Sequence, residues 1–216
     1  MKYVLVLLIL AHASLQSCAQ RPFQKQIDEY KRMDEQSPPP KHGIVFVGSS
    51  SIRLWRNLEK DFEGYPVINR GFGGSGLDHA IMYADDIIIP YEPKQIVIYS
   101  GENDVAGGKV KPADMIHRFK RLFKKIRTAL PNTHIVYISM KPSPSREQFR
   151  PVMEESNKLI RDFLANEPQT AYVDVWPLML DASGKPRKEL FTSDDLHMNT
   201  KGYEIWRKAV GEVLLR

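Results

Sequence analysis

Apolar runs alternate with amphipathic stretches along most of the chain. Five short runs, at 44–47, 66–69, 95–100, 134–139 and 171–175, are rich in Val, Ile, Phe and Tyr and show no inside–outside alternation. Such runs fit strands buried on both faces, as in parallel sheets. Between them lie segments whose apolar residues recur at helical spacing. The clearest opens at Pro112 and carries Met115, Ile116, Phe119, Leu122, Phe123, Ile126 and Leu130, with basic residues in between. Further helices are predicted over 52–60, 77–88 and 146–166. The last begins near Thr200, with Tyr203, Trp206, Val210, Val213 and Leu214 as its apolar set. A shorter helix is predicted over 21–36, with Ile27, Tyr30 and Met33 on one face; Ser37-Pro38-Pro39-Pro40 ends it as a stiff connector. Strands alternating with helices predict an α/β protein, a five-stranded parallel sheet covered on both sides.

The length of 216 residues supports one domain with a full core. The net charge of +5 is mild, and no segment interleaves basic and aromatic residues as nucleic-acid binders do. No nucleic-acid partner is therefore expected, and the basic residues at 117–127 read as a solvated helix face. The N-terminus stands apart. Met1-Lys2-Tyr3 precedes an apolar run over 4–11 and then small and polar residues, the layout of a signal peptide. That run is too short to remain as a membrane span. The only cysteine, Cys18, follows Leu15-Gln16-Ser17, which resembles a bacterial lipobox. Cleavage before Cys18 and lipid on its thiol would anchor the protein to a membrane of the cell envelope. Ordinary cleavage after Ala19 competes with this reading and leaves the protein exported but free. A single cysteine forms no disulfide within the chain. The sequence thus divides into a signal peptide (1–17), a helix with its proline-rich connector (18–41) and a main domain (42–216).

Polar clusters follow the predicted strands. Gly48-Ser49-Ser50-Ser51 comes after the first, Gly71-Phe72-Gly73-Gly74 after the second and Gly101-Glu102-Asn103-Asp104 after the third. Ser193-Asp194-Asp195-Leu196-His197 lies near the C-terminus. In parallel sheets ligands bind at the carboxyl ends of strands, so these clusters are expected to converge. Ser50 sits where a strand turns into a helix. A serine hydroxyl needs a base to become a nucleophile, and His197 can supply it. Asp194 can hold the imidazole by its other nitrogen. The backbone N–H groups of Ser50 and Gly74 and the amide of Asn103 can receive an oxyanion. Each piece has a bland reading. Gly-Ser-Ser-Ser can cap a helix, Asp-x-x-His can be a surface pair, and Gly-Glu-Asn-Asp can be a turn. Asp104 reads as a structural cap. Their joint occurrence at strand ends is that of a serine esterase.

With these blocks the chain resembles the SGNH hydrolases, the GDSL esterase/lipase superfamily, in four motifs spread from 44 to 199. Ser50 takes the nucleophile's place in Gly48-Ser49-Ser50-Ser51, and Gly74 ends the second block. Asn103 matches the Gly-x-Asn-Asp block, and Asp194 with His197 the Asp-x-x-His block. The subgroup similar to platelet-activating-factor acetylhydrolase catalytic subunits is the nearest. One position departs: Ser49 stands where the family carries aspartate, and Ser49 and Ser51 leave open which hydroxyl attacks. The resemblance implies a flavodoxin-like three-layer α/β/α fold and ester hydrolysis with neither metal nor cofactor.

Two other readings compete. Gly71-Phe72-Gly73-Gly74-Ser75-Gly76 also fits a dinucleotide-binding fingerprint, although it follows the second strand and lacks the acid expected about twenty residues on. A catalytically inactive, carbohydrate-binding member of the same fold is the other. As an esterase, the protein is expected to act on small acyl esters, acetyl above all, of carbohydrates or lipids. Trp55, Arg53, Tyr137 and Lys141 are candidate pocket residues. Against that stand core packing for the two aromatics and solvent-facing charge for the two cations.

Overall fold

The structure is a computed structural model and describes residues 21–216. The predicted signal peptide, the lipobox with Cys18 and the alternative cleavage after Ala19 lie outside the described residues. Five strands form one sheet: β1 (Ile44–Gly48), β2 (Val67–Gly71), β3 (Gln95–Tyr99), β4 (His134–Ile138) and β5 (Thr170–Val173). All pair in parallel, in the order β2-β1-β3-β4-β5. The helices are α1 (Gln24–Gln36), α2 (Ser50–Arg53), α3 (Leu58–Asp61), α4 (Leu77–Ile87), α5 (Glu102–Ala106), α6 (Pro112–Ala129), α7 (Arg150–Leu164) and α8 (Thr200–Gly211).

The strands are mostly apolar because both faces of the sheet meet a helical layer; the edge strand β5 is only partly buried. Successive side chains of β1 point to opposite sides. Val45 and Val47 join Ile96, Ile98, Ile135 and Tyr137 in a core with α1, α4, α6 and α7. Ile44 and Phe46 join Val97, Tyr99, Val136 and Ile138 in a second core with α2, α3 and α8. This is the three-layer α/β/α architecture. Its strand order is flavodoxin-like and reverses at β1 and β3, which opens a crevice at their carboxyl ends.

Two helices differ from their sequence pattern. The predicted helix over 52–60 is broken into α2 and α3. The Ile52 carbonyl, which a continuing helix would offer to residue 56, instead accepts from Asn69 Nδ2 at 2.7 Å and from Trp55 N at 3.0 Å. Trp55 then turns into the second core, its indole N–H donating to Asp61 Oδ2 at 2.6 Å. The predicted helix over 146–166 begins as a 3₁₀ segment (Pro144–Phe149), and regular α-helix starts only at Arg150. Pro151 has no N–H to continue an earlier α-helix and suits the first turn. Strand β2 runs on to Gly71 and β5 stops at Val173. The short helix α5 has no counterpart among the predicted elements.

Helix α1 packs on the body of the domain. Ile27 is fully buried in the first core. Asp34 accepts hydrogen bonds from the Arg70 guanidinium and from Tyr91 Oη, and Lys31 pairs with Asp86 at 2.5 Å.

Candidate active site

Gly48 ends β1 with φ of 148°, and a Cβ there would stand 1.8 Å from the Tyr99 carbonyl oxygen. Only glycine lets β1 pass this close to β3. The next residue, Ser49, donates its N–H to Tyr99 O at 3.1 Å, and α2 begins at Ser50. Ser49 and Ser51 are buried at 2% exposure each, whereas Ser50 is only partly buried. Ser50 Oγ lies 2.9 Å from His197 Nε2. Of the three adjacent hydroxyls, it is the one that meets the imidazole.

His197 and Asp194 share one tight loop. Thr192 N donates to His197 O at 2.8 Å, and Phe191 bridges Met198 in antiparallel fashion. Asp195 turns the chain with φ of 55°, a left-handed conformation that aspartate tolerates better than most residues. Asp194 Oδ1 accepts from Leu196 N at 3.0 Å, His197 N at 2.9 Å and Thr192 Oγ1 at 2.8 Å. Its other oxygen, Oδ2, lies 2.5 Å from His197 Nδ1. With Nδ1–H facing a carboxylate, Nε2 is left as the acceptor for the Ser50 hydroxyl; the network assigns this tautomer. Burial pushes the Asp194 carboxyl up. The hydrogen bonds from the His197 ring, the His197 and Leu196 N–H groups and the Thr192 hydroxyl outweigh it and hold the group well below the usual carboxylate range.

The second and third polar clusters are tied to the first. Phe72 N and Ser75 Oγ donate to Gly48 O at 2.8 and 3.2 Å. Asn103 Nδ2 donates to Ser75 O at 2.9 Å, which orients the amide and uses one of its two hydrogens. Gly74 has φ of 80°, and its N–H has no protein acceptor among the described residues. Both carboxylate oxygens of Asp104 are engaged by other elements. Its Oδ2 accepts from Leu77 N at 3.0 Å at the start of α4, and its Oδ1 accepts from Arg118 at 2.7 Å. That is the capping role read from the sequence.

The four candidate pocket residues divide. Trp55 and Tyr137 are core residues, at 1% and 0% exposure. Trp55 packs among Phe46, Phe62 and Trp206, and Tyr137 donates its hydroxyl to Ser100 O. Lys141 neither lines a pocket nor faces solvent. It is fully buried, with Nζ 3.0 and 2.8 Å from the two carboxylate oxygens of Glu102. Tyr99 Oη donates to the same carboxylate. Arg53 alone stays exposed at the site, its Nε 2.9 Å from where a Cβ on Gly73 would stand. Glu102 escaped the sequence reading because it sits inside a turn-like motif. The available signal was an acid and a lysine each just past a buried strand.

A GDSL-like lipase/acylhydrolase family model matches residues 45–205. No curated protein sequence matches the chain. Among solved structures, a protein from Streptococcus pneumoniae described as a platelet activating factor is 21% identical, with a TM-score of 0.77 over 89% of this chain and 92% of that one. A GDSL-like lipase from Bacteroides thetaiotaomicron gives 18% identity and a TM-score of 0.72 over 86% and 95%. An acetyl-xylooligosaccharide esterase from Geobacillus stearothermophilus gives 14% and 0.65 over 81% and 94%. At these identities the structures show a common fold, and the family model supplies the membership. The chain belongs to the GDSL-like lipase/acylhydrolase family, whose members are carboxylic ester hydrolases.

Proposed function

We propose that this protein is an exported serine esterase that removes small acyl groups, acetyl above all, from carbohydrate or lipid esters. One observation carries the reading: Ser50 Oγ, His197 and Asp194 stand in an unbroken hydrogen-bonded row, at 2.9 and 2.5 Å. His197 Nε2 takes the Ser50 proton as Oγ attacks the acyl carbonyl. Asp194 orients the ring and offsets the charge of the imidazolium without itself being protonated. The tetrahedral oxyanion is received by the N–H groups of Ser50 and Gly74 and by the free hydrogen of the Asn103 amide. Collapse expels the alcohol, which takes the proton from Nε2 and leaves acyl-Ser50. Water, deprotonated by His197, then attacks the acyl carbon; the acid departs and the Ser50 hydroxyl is restored.

The preference for acetyl draws support from the acetyl-xylooligosaccharide esterase that shares the fold. Export draws support from the apolar run at 4–11, and a lipid anchor from Leu15-Gln16-Ser17-Cys18. A fluorophosphonate probe tests the chemistry. The expected label is on Ser50, found by mass spectrometry of the modified peptide, with Ser50→Ala inactive on p-nitrophenyl acetate. Label on Ser49 or Ser51, or an active Ser50→Ala, would overturn the assignment. A panel of p-nitrophenyl esters of rising chain length, beside acetylated xylan oligosaccharides, reads out the acyl and alcohol preference.

A further inference from the structure

We propose that α1 is a positioning element for the loop carrying the Gly74 N–H, acting chiefly through Gln26 and Tyr30. The inference rests on the reading of Gly74 as an oxyanion donor. The family match begins at residue 45, so α1 lies outside it. Yet successive turns of one face of α1, continued by its N-cap residue Phe23, pair in order with positions from the end of β2 into the loop that follows. Asp34 takes the Arg70 guanidinium. Tyr30 Oη donates to Gly71 O. Gln26 Oε1 accepts from Gly73 N at 3.3 Å. The Phe23 ring packs edge-on against Phe72 with centroids 5.6 Å apart, and its Cε1 lies 3.6 Å from where a Gly74 Cβ would stand.

The spacing 34, 30, 26 is one helix face, repeating about every turn, and Phe23 extends the line from the N-cap position. A helical ruler is thus laid along the end of β2 and the glycine-rich loop that follows it, which has little stiffness of its own. The contacts fall on backbone atoms at 71 and 73, on both sides of Phe72 and next to Gly74. The ruler is itself fixed, through Ile27 in the core and through Tyr83 Oη donating to Pro22 O at 2.5 Å. Burial raises the Tyr30 phenol, against the opposing charges of Arg70 and Arg53, so it stays an O–H donor at working pH. The far side of the loop is held by Gly48 O, through the Phe72 N–H and the Ser75 hydroxyl, and by Asn103. Removing the α1 side should leave the loop in place but loosen the Gly74 N–H relative to Ser50.

The test uses the full chain with Gln26→Leu, Tyr30→Phe and the double variant, beside Lys31→Ala, which removes only the partly exposed ion pair of α1 with Asp86. Tyr30→Phe keeps the ring and loses one O–H, so it folds even if the double variant does not. Loss of an oxyanion donor costs ~10²–10³ in kcat, and a displaced donor should cost less. The double variant is expected to lose roughly tenfold in kcat with KM within about twofold, while Lys31→Ala keeps both. A phenylboronic acid, which forms a tetrahedral adduct on Ser50, should bind more weakly by the same factor as kcat falls. Unchanged kcat in the folded variants, or a loss of kcat with unchanged boronate affinity, would overturn the inference. Ser50→Ala is run alongside: if it stays active, the esterase reading is at fault, and if it is inactive while Gln26 and Tyr30 variants are normal, only the role of α1 fails.

Discussion

At Asp194 a spacing of three residues becomes a device for aiming a carboxylate. The loop donors at Thr192, Leu196 and His197 occupy Oδ1 and so hand Oδ2 to the imidazole. The pairing of Ser50, Asp194 and His197 was legible because each residue type has one obvious task in acyl transfer. The internal wiring of the loop was not, since it depends on Asp195 adopting a left-handed turn that the sequence permits without requiring. The same donors hold the Asp194 carboxyl below its ordinary range. A depressed folded value means that its contribution to stability is present above the unfolded value, ~3.8, and is lost only as pH falls through the lower folded one. About half of the side chain is exposed, so that contribution is screened and small. The effect on activity is clearer. Asp194→Asn is expected to lower kcat by roughly 10²- to 10⁴-fold, less than Ser50→Ala, because the ring loses its orientation and charge partner. Asp194 stays ionised in mild acid, so its carboxylate band in the infrared, assigned by its loss in Asp194→Asn, should keep its ionised position from about pH 8 to about pH 5. A band that moves to the protonated carboxyl position within that interval would show the aspartate titrating in it.

At the scale of elements, the regular helices and strands were legible and the joints between them were not. The apolar stripe of α6 runs without interruption, and its pattern suffices. The break between α2 and α3 depends on Asn69 reaching the Ile52 carbonyl from β2, a contact seventeen residues away in sequence. The turn after β3 likewise depends on a partner outside it. Gly101 has φ of 125°, and α5 starts at Glu102, whose carboxylate is held by Lys141 just beyond β4 and by Tyr99 Oη. Burial and then the charge of Glu102 push the Tyr99 phenol well above its usual value, so it remains a donor. Both charged side chains are nearly inaccessible, at 1% and 6% for Lys141 and Glu102. Removing one member of such a pair leaves an uncompensated buried charge and typically costs ~3–5 kcal/mol, while replacing both costs far less. Lys141→Met is therefore expected to destabilise by about that amount in urea, and Lys141→Met with Glu102→Gln by clearly less. A single variant within about 1 kcal/mol of wild type would show that the charge is not held out of water.

Over the whole molecule, five mostly apolar strands and the helices between them carried both the layer order and the edge at which the polar clusters meet. A serine esterase built on this plan needs the crevice between β1 and β3, and the sequence marked it by placing Ser50 and Asn103 after those two strands. What stayed hidden was that α1 belongs to the working part of the molecule, because its match to residues 70–74 is made largely by polar side chains, two of them meeting backbone atoms, which a pattern of apolar positions does not mark. This bears on the proposed anchor. Only five residues, 19–23, lie between Cys18 and the start of α1 at Gln24, a distance of six residue steps. At ~3.3–3.6 Å per residue even a fully extended chain spans ~20 Å, so a lipid on Cys18 would keep the catalytic crevice close to the membrane surface. The expected outcome is palmitate incorporation, partition with membranes and a mature N-terminus at Cys18, all abolished by Cys18→Ser. Because Cys18 precedes α1, Cys18→Ser should leave kcat on a soluble ester unchanged while lowering activity on esters presented at a membrane. An unlabelled protein whose N-terminus is Gln20 would place cleavage after Ala19 and remove the anchor, leaving export and the chemistry of Ser50 to stand on their own.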